Sequence, residues 1–379
     1  MQRGQIYKSH GSWFLRYRET HLQDGRPVSK RMCARLAPVS EDYPSKRSVL
    51  LLAEKILAPI NAGTMQPAST QRLVDFIEHN YFKHAKTNLR PSTVKGYKDI
   101  FSDHVQSRLG DIQLRNFRTV TGQHLLAQIF AEDKIGHTSM SRVKSFLSGV
   151  FTFALREGVL DGVNPIRAVQ ILGRPVRTKQ RVYGLGEIDI MLRSLPEPDR
   201  TVIAVCAFTG LRISEVRGLQ WGDYNGASLE IRRSVWRTHV GATKTVESEA
   251  SVPVLPFLQK VLEAHRGRSK RTQPLDYIFA GERRGQPLNM ANLARRSILP
   301  AIASVTLDDG SHLEWKGFHA LRRGLASNLF AAGVSGKVIQ SLLRHSNLST
   351  TMQIYVQTDE AASRSAMQKI EDVLFPFGQ

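Results

Sequence analysis

The spacing of apolar residues between positions 138 and 157 constrains the fold more than any other feature of this chain. Apolar side chains recur there at intervals of three and four residues, at Val143, Phe146, Leu147, Val150 and Ala154. This spacing forms one apolar stripe along an α-helix, and Gly158 followed by the Asn-Pro pair at 164–165 ends it. Such a stripe has to be buried, and residues 69–163 have the same helical character throughout. We therefore predict an all-helical domain whose aromatic residues form its core.

Residues 1–65 follow a different period. Apolar and basic side chains alternate over 12–19 and again over 28–36, which is typical of strands with one buried face. Asp24-Gly25 predicts a hairpin turn between them. A helix over about 48–60 can cover the apolar face. The pattern predicts a small three-stranded sheet with a helix packed on it.

Both strands of this hairpin carry basic residues, and in the second strand Lys30 lies on the face opposite Arg31 and Arg35. A short sheet with a row of basic side chains can enter a DNA groove. A solvated sheet face that only confers solubility has the same pattern, so both readings stay open. The DNA-binding residues that we predict here are Arg16, Arg18, Lys30, Arg31 and Arg35.

Net charge indicates the kind of partner. The 379 residues include 53 Lys+Arg against 33 Asp+Glu, a formal net charge of +20, and the pI is near 10.2. Such an excess favours nucleic acid or an anionic membrane surface as partner, although a protein with a merely basic surface has it too. No apolar run reaches the roughly 18–20 residues that span a bilayer, and the start lacks a signal-peptide pattern. Two cysteines without a CxxC motif exclude a disulfide scaffold and a cysteine zinc site. We expect a cytoplasmic, DNA-associated protein that binds no membrane.

The charge is unevenly distributed along the chain. Residues 1–65 carry +6, 66–166 carry +4, 167–182 carry +5 and 183–379 carry +5. The segment 167–182 has no acidic residue and predicts a basic interdomain linker, which suits a protein that closes around a polyanion. The linker residues that we predict to contact DNA are Arg174, Arg177, Lys179 and Arg181.

Residues 183–379 predict a mixed domain that begins and ends helical. One strand is expected over 228–236 and another over 251–254. The expected later helices lie near 256–266, 289–302, 318–332, 335–344 and 359–374. The fold class is therefore mainly α with small β-sheets (α+β), in several domains. The boundaries that we predict are 1–65, 66–166, the linker 167–182, and 183–379.

Four local motifs in this last stretch bear on chemistry. Thr209-Gly-Leu-Arg-Ile-Ser-Glu215 projects Arg212 where one helix ends and another begins. Thr243-Lys-Thr245 places Lys244 near a hairpin tip. The motifs that follow are His319-Ala-Leu-Arg-Arg323, with His319 and Arg322 on one helix face, and the run from Leu342-Leu-Arg-His345 to Tyr355. Each motif is weak alone, but their order is specific.

In that order the motifs resemble the signature of the tyrosine recombinase (phage integrase) family: Arg, Lys on a β-hairpin, His-x-x-Arg, His or Trp, and a Tyr nucleophile. The resemblance covers 185–379. It extends more loosely to 66–166, which is similar to the family's helical, SAM-like core-binding domain. Residues 1–65 resemble the arm-binding module of phage and element integrases.

Metal-free phosphodiester cleavage explains these residue types. Arg212 and Arg322 can neutralise the non-bridging oxygens in the transition state. Tyr355 can form the covalent intermediate, His319 can accept its proton, and Lys244 can protonate the departing 5′-oxygen. In addition, His345 would donate to the phosphate, and Glu215 would orient Arg212 or its neighbours.

The resemblance implies a site-specific recombinase that integrates and excises a phage or other mobile element. It implies a 3′-phosphotyrosyl intermediate, no cofactor and no metal. Its partners would be double-stranded DNA at core-type and arm-type attachment sites, three further copies of the chain in a homotetramer on DNA, and accessory proteins that bend DNA or direct excision.

The sequence departs from the commonest family pattern at three points. Ala320 follows the first His where Asp is common, and Arg344 replaces the usual Gly before the second His, which suggests another DNA contact. The interval from His345 to Tyr355 is one residue longer than in the commonest pattern. Because one extra residue rotates a helix by about 100°, the turn over Ser346–Thr351 has to absorb it if Tyr355 is to reach the phosphate.

Other classes of protein fit the sequence less well. A metal nuclease would need a carboxylate cluster able to hold a metal ion, but the acidic pair Asp308-Asp309 precedes Gly310 in a turn-like setting, so this class is rejected. A type IB topoisomerase has similar chemistry, but the arm-like module and the full set of His-x-x-Arg, His and Tyr favour a recombinase. A catalytically inactive, regulatory DNA-binding protein of the same fold is the alternative, but it would be expected to lack a catalytic residue, and none is missing from this sequence.

Overall fold

The computed structural model describes residues 1–23, 26–62, 66–176, 181–241, 251–307 and 310–344. The chain forms two compact units, Met1–Arg177 and Thr178–Gln379. Helices predominate and the sheets are small, as the fold class predicts. Within the described ranges, no helix has the length and apolar character needed to cross a bilayer.

The first unit begins with a three-stranded antiparallel sheet in the order β1-β2-β3, followed by helix α1. The bounds are β1 (Gln5–Ser9), β2 (Ser12–Gln23), β3 (Arg26–Pro38) and α1 (Leu50–Asn61). The apolar face of the sheet packs on α1, where Leu15 of β2 and Val49 before the helix are fully buried. The alternation in the sequence is therefore confirmed as a sheet with one buried face.

The rest of this unit is helical around a second core. Its helices are α2 (73–88, with a π-helical turn at Ile77–Tyr81), α3 (91–109, with a π-helical turn at Phe101–Val105), α4 (Thr119–Asp133) and α5 (His137–Arg156). The apolar stripe of α5 is buried against the other helices, with Phe146, Leu147 and Val150 all fully buried. Tyr81 of α2 contacts Phe146 edge to face, and Phe82 of the same helix stacks on it. These aromatic rings are core residues, as predicted.

A buried polar contact joins the sheet to the helical part. Glu19 of β2 is 4% exposed, and its carboxylate accepts hydrogen bonds from both terminal nitrogens of Arg115, which lies between α3 and α4. His21 lies 3.2 Å from the same carboxylate, and the backbone N–H of Leu22 donates to the Thr70 hydroxyl. Separating the sheet from the helices would leave Glu19 and Arg115 without these partners.

The second unit opens with helices α6 (Leu185–Ser194), α7 (Asp199–Thr209) and the short α8 (Ile213–Val216). Among the described residues, four short strands then form two separate two-stranded sheets, β4 with β7 and β5 with β6. Their bounds are β4 (Ser228–Glu230), β5 (Ser234–Trp236), β6 (His239–Gly241) and β7 (Ser251–Pro253).

The single strand expected over 228–236 is wrong, because the chain leaves the sheet at 231–233. Arg233 turns back there: its guanidinium donates to Asp223, and its backbone carbonyl lies 2.6 Å from the point where a Cβ on Gly218 would stand. These contacts separate β4 from β5, so the two segments pair with different strands.

The later helices lie close to their predicted positions. They are α9 (Pro256–Arg268), α10 (290–303, with a π-helical turn at Ala294–Ile298), α11 (Phe318–Ala331) and α12 (Gly336–Leu343). Helix α11 packs on α7 and on the chain around Tyr183. This approach requires Gly324, because a Cβ there would lie 2.5 Å from the Tyr183 carbonyl oxygen. The helix expected over 359–374 lies outside the described residues.

Candidate active site

Arg212 is positioned by the junction of α7 and α8. Gly210 ends α7 with a left-handed backbone, φ +63°, which glycine adopts without strain. A side chain there would also collide with Leu343, since a Cβ would lie 2.7 Å from its methyl group. Arg212 then takes the position before the first residue of α8. The Thr-Gly-Leu-Arg sequence thus places one arginine at the end of one helix and the start of the next.

Glu215 holds Arg212 in place. The Glu215 side chain is 2% exposed, whereas that of Arg212 is 28% exposed. One carboxylate oxygen accepts from Arg212 Nη1 at 2.7 Å, and the other accepts from the Arg212 backbone N–H at 2.9 Å. The prediction that Glu215 orients Arg212 agrees with this geometry.

Arg322 lies in the middle of the site, 2% exposed on α11. It donates from Nη1 to the carbonyl of Gly210 and from Nη2 to the carbonyl of Leu343, and so links the ends of α7 and α12. Its Nε has no acceptor among the described residues. Burial, and then the charges of Arg212 and Arg344, lower the pKa of Arg322 to about 9, while Glu215 opposes this shift. The group is still cationic at neutral pH.

His319 precedes Arg322 by three residues on α11 and is exposed at the surface. Desolvation by the surrounding protein, followed by repulsion from Arg323, Arg322 and Arg212, lowers its pKa below 6.5. The imidazole is therefore mostly neutral at neutral pH and is able to accept a proton.

Arg344 lies inside this cluster, where the sequence predicts an additional charge beside the site. It is 6% exposed, and its Nη2 donates to Glu215 Oε2 at 3.0 Å. Its backbone is left-handed, φ +53°, directly after α12. The expectation of another DNA contact at Arg344 is wrong for this structure, because its guanidinium turns inward to Glu215. The replacement of the family's Gly was the one signal in the sequence.

The structure thus brings together Arg212, Glu215, His319 and Arg322 of the predicted site, and adds Arg344. Three further predicted catalytic residues lie outside the described residues: Lys244, His345 and Tyr355. Their roles stay predictions.

Four of the five predicted DNA-binding residues of the sheet lie on its outer face. Arg18 pairs with Arg31 across β2 and β3, and Arg16 and Arg35 are exposed on the same side. Tyr7 and Phe14 stack there with ring centroids 5.8 Å apart, and the Arg16 guanidinium lies 4.9 Å from the Tyr7 ring. Lys30 is exposed on the opposite side, where its strand partner is Glu19.

The predicted linker residues are described in part. Arg174 is exposed. Arg181 is also exposed and lies 3.5 Å from Glu314, an ion pair that contributes little at such exposure. Arg177 and Lys179 fall outside the described residues, and so does the Asp308-Asp309 pair.

Within the described residues, one group of three side chains has the spacing of a metal site: Asp75, Glu78 and His79 on α2. Asp75 is bound there by Arg72, whose Nε donates to it at 2.8 Å, and this hydrogen bond lowers the pKa of the carboxyl. The group therefore has a neutralising partner without a metal.

The comparisons with known proteins identify the family. The phage integrase family model matches residues 185–362, and the model of the phage integrase N-terminal SAM-like domain matches 73–129. Together the two matches cover more than half of the chain, and the first includes every residue of the arginine cluster. The chain belongs to the tyrosine recombinase (phage integrase) family and is an enzyme of that class.

Relatives similar to this chain are named tyrosine recombinases. The chain is 23% identical to the tyrosine recombinase XerC-like protein of Caldanaerobacter subterraneus subsp. tengcongensis, over 87% of this chain and 90% of that protein. It is 27% identical to tyrosine recombinase XerC of Oceanobacillus iheyensis, over 74% of this chain and 90% of the relative.

Solved structures share the fold. A fragment of the Tn1549 transposon integrase in complex with a circular intermediate DNA superposes with a TM-score of 0.64 at 16% identity, covering 79% of this chain and 99% of that fragment. A lambda integrase tetramer bound to a Holliday junction superposes with a TM-score of 0.58 at 19% identity, covering 92% of this chain and 94% of that one.

Proposed function

We propose that this recombinase integrates and excises a phage or other mobile element, cleaving and rejoining DNA strands through a 3′-phosphotyrosyl intermediate. The observation that carries the proposal is the arginine cluster. Arg212 is fixed by a buried carboxylate and Arg322 by two backbone carbonyls, so both guanidiniums are oriented before substrate arrives. Preorganised donors of this kind stabilise charge that develops in a transition state.

The chemistry is a transfer of the phosphoryl group from one oxygen to another. The Tyr355 oxygen forms a bond to phosphorus while the bond to the 5′-oxygen breaks. Neutral His319 accepts the tyrosine proton, and Lys244 gives a proton to the 5′-oxygen, with His345 donating to the phosphate. Religation reverses these steps, so no cofactor is needed. The lowered pKa of His319 supports its role as the base.

The sheet of the first unit supports the mobile-element assignment. Its outer face combines Arg16, Arg18, Arg31 and Arg35 with a stacked aromatic pair, a composition suited to DNA backbone and groove contacts. We assign arm-type DNA to this face and core-type DNA to the helical part and the second unit. The assembly on DNA is a homotetramer, with accessory proteins that bend DNA or direct excision.

Nicked suicide substrates containing the attachment site test the reaction, since cleavage traps the covalent intermediate on them. We expect a protein–DNA adduct from the wild type that persists in EDTA and is lost in Tyr355→Phe. Tyr277→Phe is the matched control, because Tyr277 is a tyrosine of the same unit outside the cluster, and it should keep the adduct. An adduct in Tyr355→Phe would show that another residue is the nucleophile.

A further inference from the structure

Two local features make arginine energetically unfavourable at position 344. Its left-handed backbone, φ +53°, is strained for any residue with a Cβ. Its guanidinium is buried, yet Nε and Nη1 find no acceptor among the described residues, and Glu215 is the one described acceptor of Nη2. Glycine would remove both problems. A strained and incompletely paired buried cation is retained at a site where its charge has a use.

Arg344 and Arg212 donate hydrogen bonds to the same carboxylate oxygen of Glu215. Glu215 Oε2 accepts from Arg344 Nη2 at 3.0 Å and from the Arg212 backbone N–H at 2.9 Å. The other oxygen, Oε1, accepts from the Arg212 guanidinium. Rotation of the carboxylate away from Arg344 would therefore also release Arg212. Arg344 acts on the phosphate-binding arginine through Glu215.

The charges of the cluster do not balance. Arg212, Arg322 and Arg344 contribute three positive charges and Glu215 contributes one negative charge, so the net charge of these four described side chains is +2. A phosphodiester carries one negative charge, and the five-coordinate transition state carries two. A cluster with a net charge of +2 therefore gains more from the transition state than from bound DNA. With glycine at position 344, the net charge would be +1.

We propose that Arg344 is a positioning residue for strand cleavage, which fixes Arg212 through Glu215 and raises the net charge of the cluster to the +2 that matches the transition state. The inference rests on the proposed function, in which Arg212 and Arg322 hold the scissile phosphate. Arg344 itself gives up no proton and forms no bond in the reaction.

Single-turnover cleavage at saturating DNA tests this, with suicide substrates that carry either a normal phosphate or a methylphosphonate at the scissile position. The methylphosphonate removes one negative charge from the transition state. We expect Arg344→Gly to slow cleavage of the phosphodiester roughly 10- to 100-fold with little loss of DNA affinity. The deficit should largely disappear on the methylphosphonate. Arg344→Lys keeps the charge and should recover part of the rate.

The matched control is Arg193→Gln, which removes an exposed arginine of α6 that pairs with Asp189, and it should cleave both substrates at the wild-type rate. Circular dichroism and thermal melting establish that each variant is folded, and Arg344→Gln replaces Arg344→Gly if the glycine variant is not. An equal deficit on both substrates would overturn the inference and leave Arg344 a purely structural role.

A Tyr355-dependent adduct that forms at equal rates in the wild type and in Arg344→Gly would overturn this inference alone. No adduct from the wild type would overturn the proposed function and this inference with it.

Discussion

Glu215 holds the arginine cluster together, because its carboxylate forms ion pairs with both Arg212 and Arg344. We expect Glu215→Gln to lower the free energy of unfolding by about 3 kcal/mol, since it leaves a buried guanidinium without a counter-charge. Strand cleavage should also slow by about 100-fold as Arg212 loses its orientation. Denaturant unfolding and suicide-substrate kinetics measure the two effects.

Glu282→Gln is the control for this substitution, because Glu282 is exposed in a loop of the same unit. It should change the free energy of unfolding by less than about 0.5 kcal/mol. If Glu215→Gln were as neutral as this control, the carboxylate would not hold the cluster.

His319 gives a pH dependence whose direction follows from its surroundings. Desolvation by the surrounding protein and three nearby arginines lower its pKa below 6.5. The ring cannot accept a proton once it is protonated, so kcat/KM should fall as the pH drops through this lowered pKa and be level near neutral pH. We expect the midpoint of the acid limb below pH 6.5 in wild type. His319→Gln should lose that limb together with about 10²-fold or more of the rate. A midpoint above pH 6.5 would argue against His319 as the base.

The sequence predicted which residues form the cluster, but not where each side chain points. The order of Arg212, His319 and Arg322 predicted residues that the fold brings into one cluster. The inward turn of Arg344 was not predictable, because it depends on the left-handed end of α12 and on the position of Glu215, which is 129 positions away in the chain. Contacts of that separation are set by tertiary packing.

Among the elements, the N-terminal sheet allows two neighbouring residues to be compared. Arg31 lies on the outer face with Arg18, and Lys30 lies on the opposite side beside Glu19. We expect Arg31→Gln to weaken binding to an arm-type site and to reduce the slope of log K against log salt by about 1, the signature of one lost phosphate contact. Lys30→Gln should leave both nearly unchanged. Fluorescence anisotropy on arm-site DNA at several salt concentrations measures this, and equal losses in the two variants would refute the face assignment.

Element prediction succeeded where one period dominates a long segment. The stripe of α5 was expected over 138–157 and is observed over His137–Arg156. It failed at 228–236, where the sequence reads as a continuous strand. Arg233 is drawn out of that strand by Asp223, and Gly218 lets its backbone approach, so a tertiary contact overrides strand propensity.

For the whole molecule, the bulk charge and the reactive charges belong to different segments. Residues 1–65 and 167–182 hold +11 of the net +20, whereas 183–379, which includes the arginine cluster, holds +5. The first group should determine salt-dependent affinity. The reaction depends on a few oriented cations, so composition could indicate the partner but not the chemistry. The four-part division of the sequence stays a prediction.

The compact unit Met1–Arg177 gives the last prediction. The sheet and the helical part each have a core of their own, but the buried contact of Glu19 with Arg115 and the hydrogen bond from the Leu22 N–H to the Thr70 hydroxyl join them. We expect the fragment 1–176 to unfold in a single cooperative transition in calorimetry, with equal calorimetric and van't Hoff enthalpies.

Glu19→Gln removes the counter-charge of a largely buried arginine, Arg115, so it should split this transition into two or lower its midpoint by several degrees. Glu41→Gln, an exposed residue between β3 and α1, is the matched control and should keep the wild-type melting curve. Two transitions in the wild-type fragment would mean that the sheet folds independently of the helices, because cooperative unfolding requires that neither part remains stable without the other.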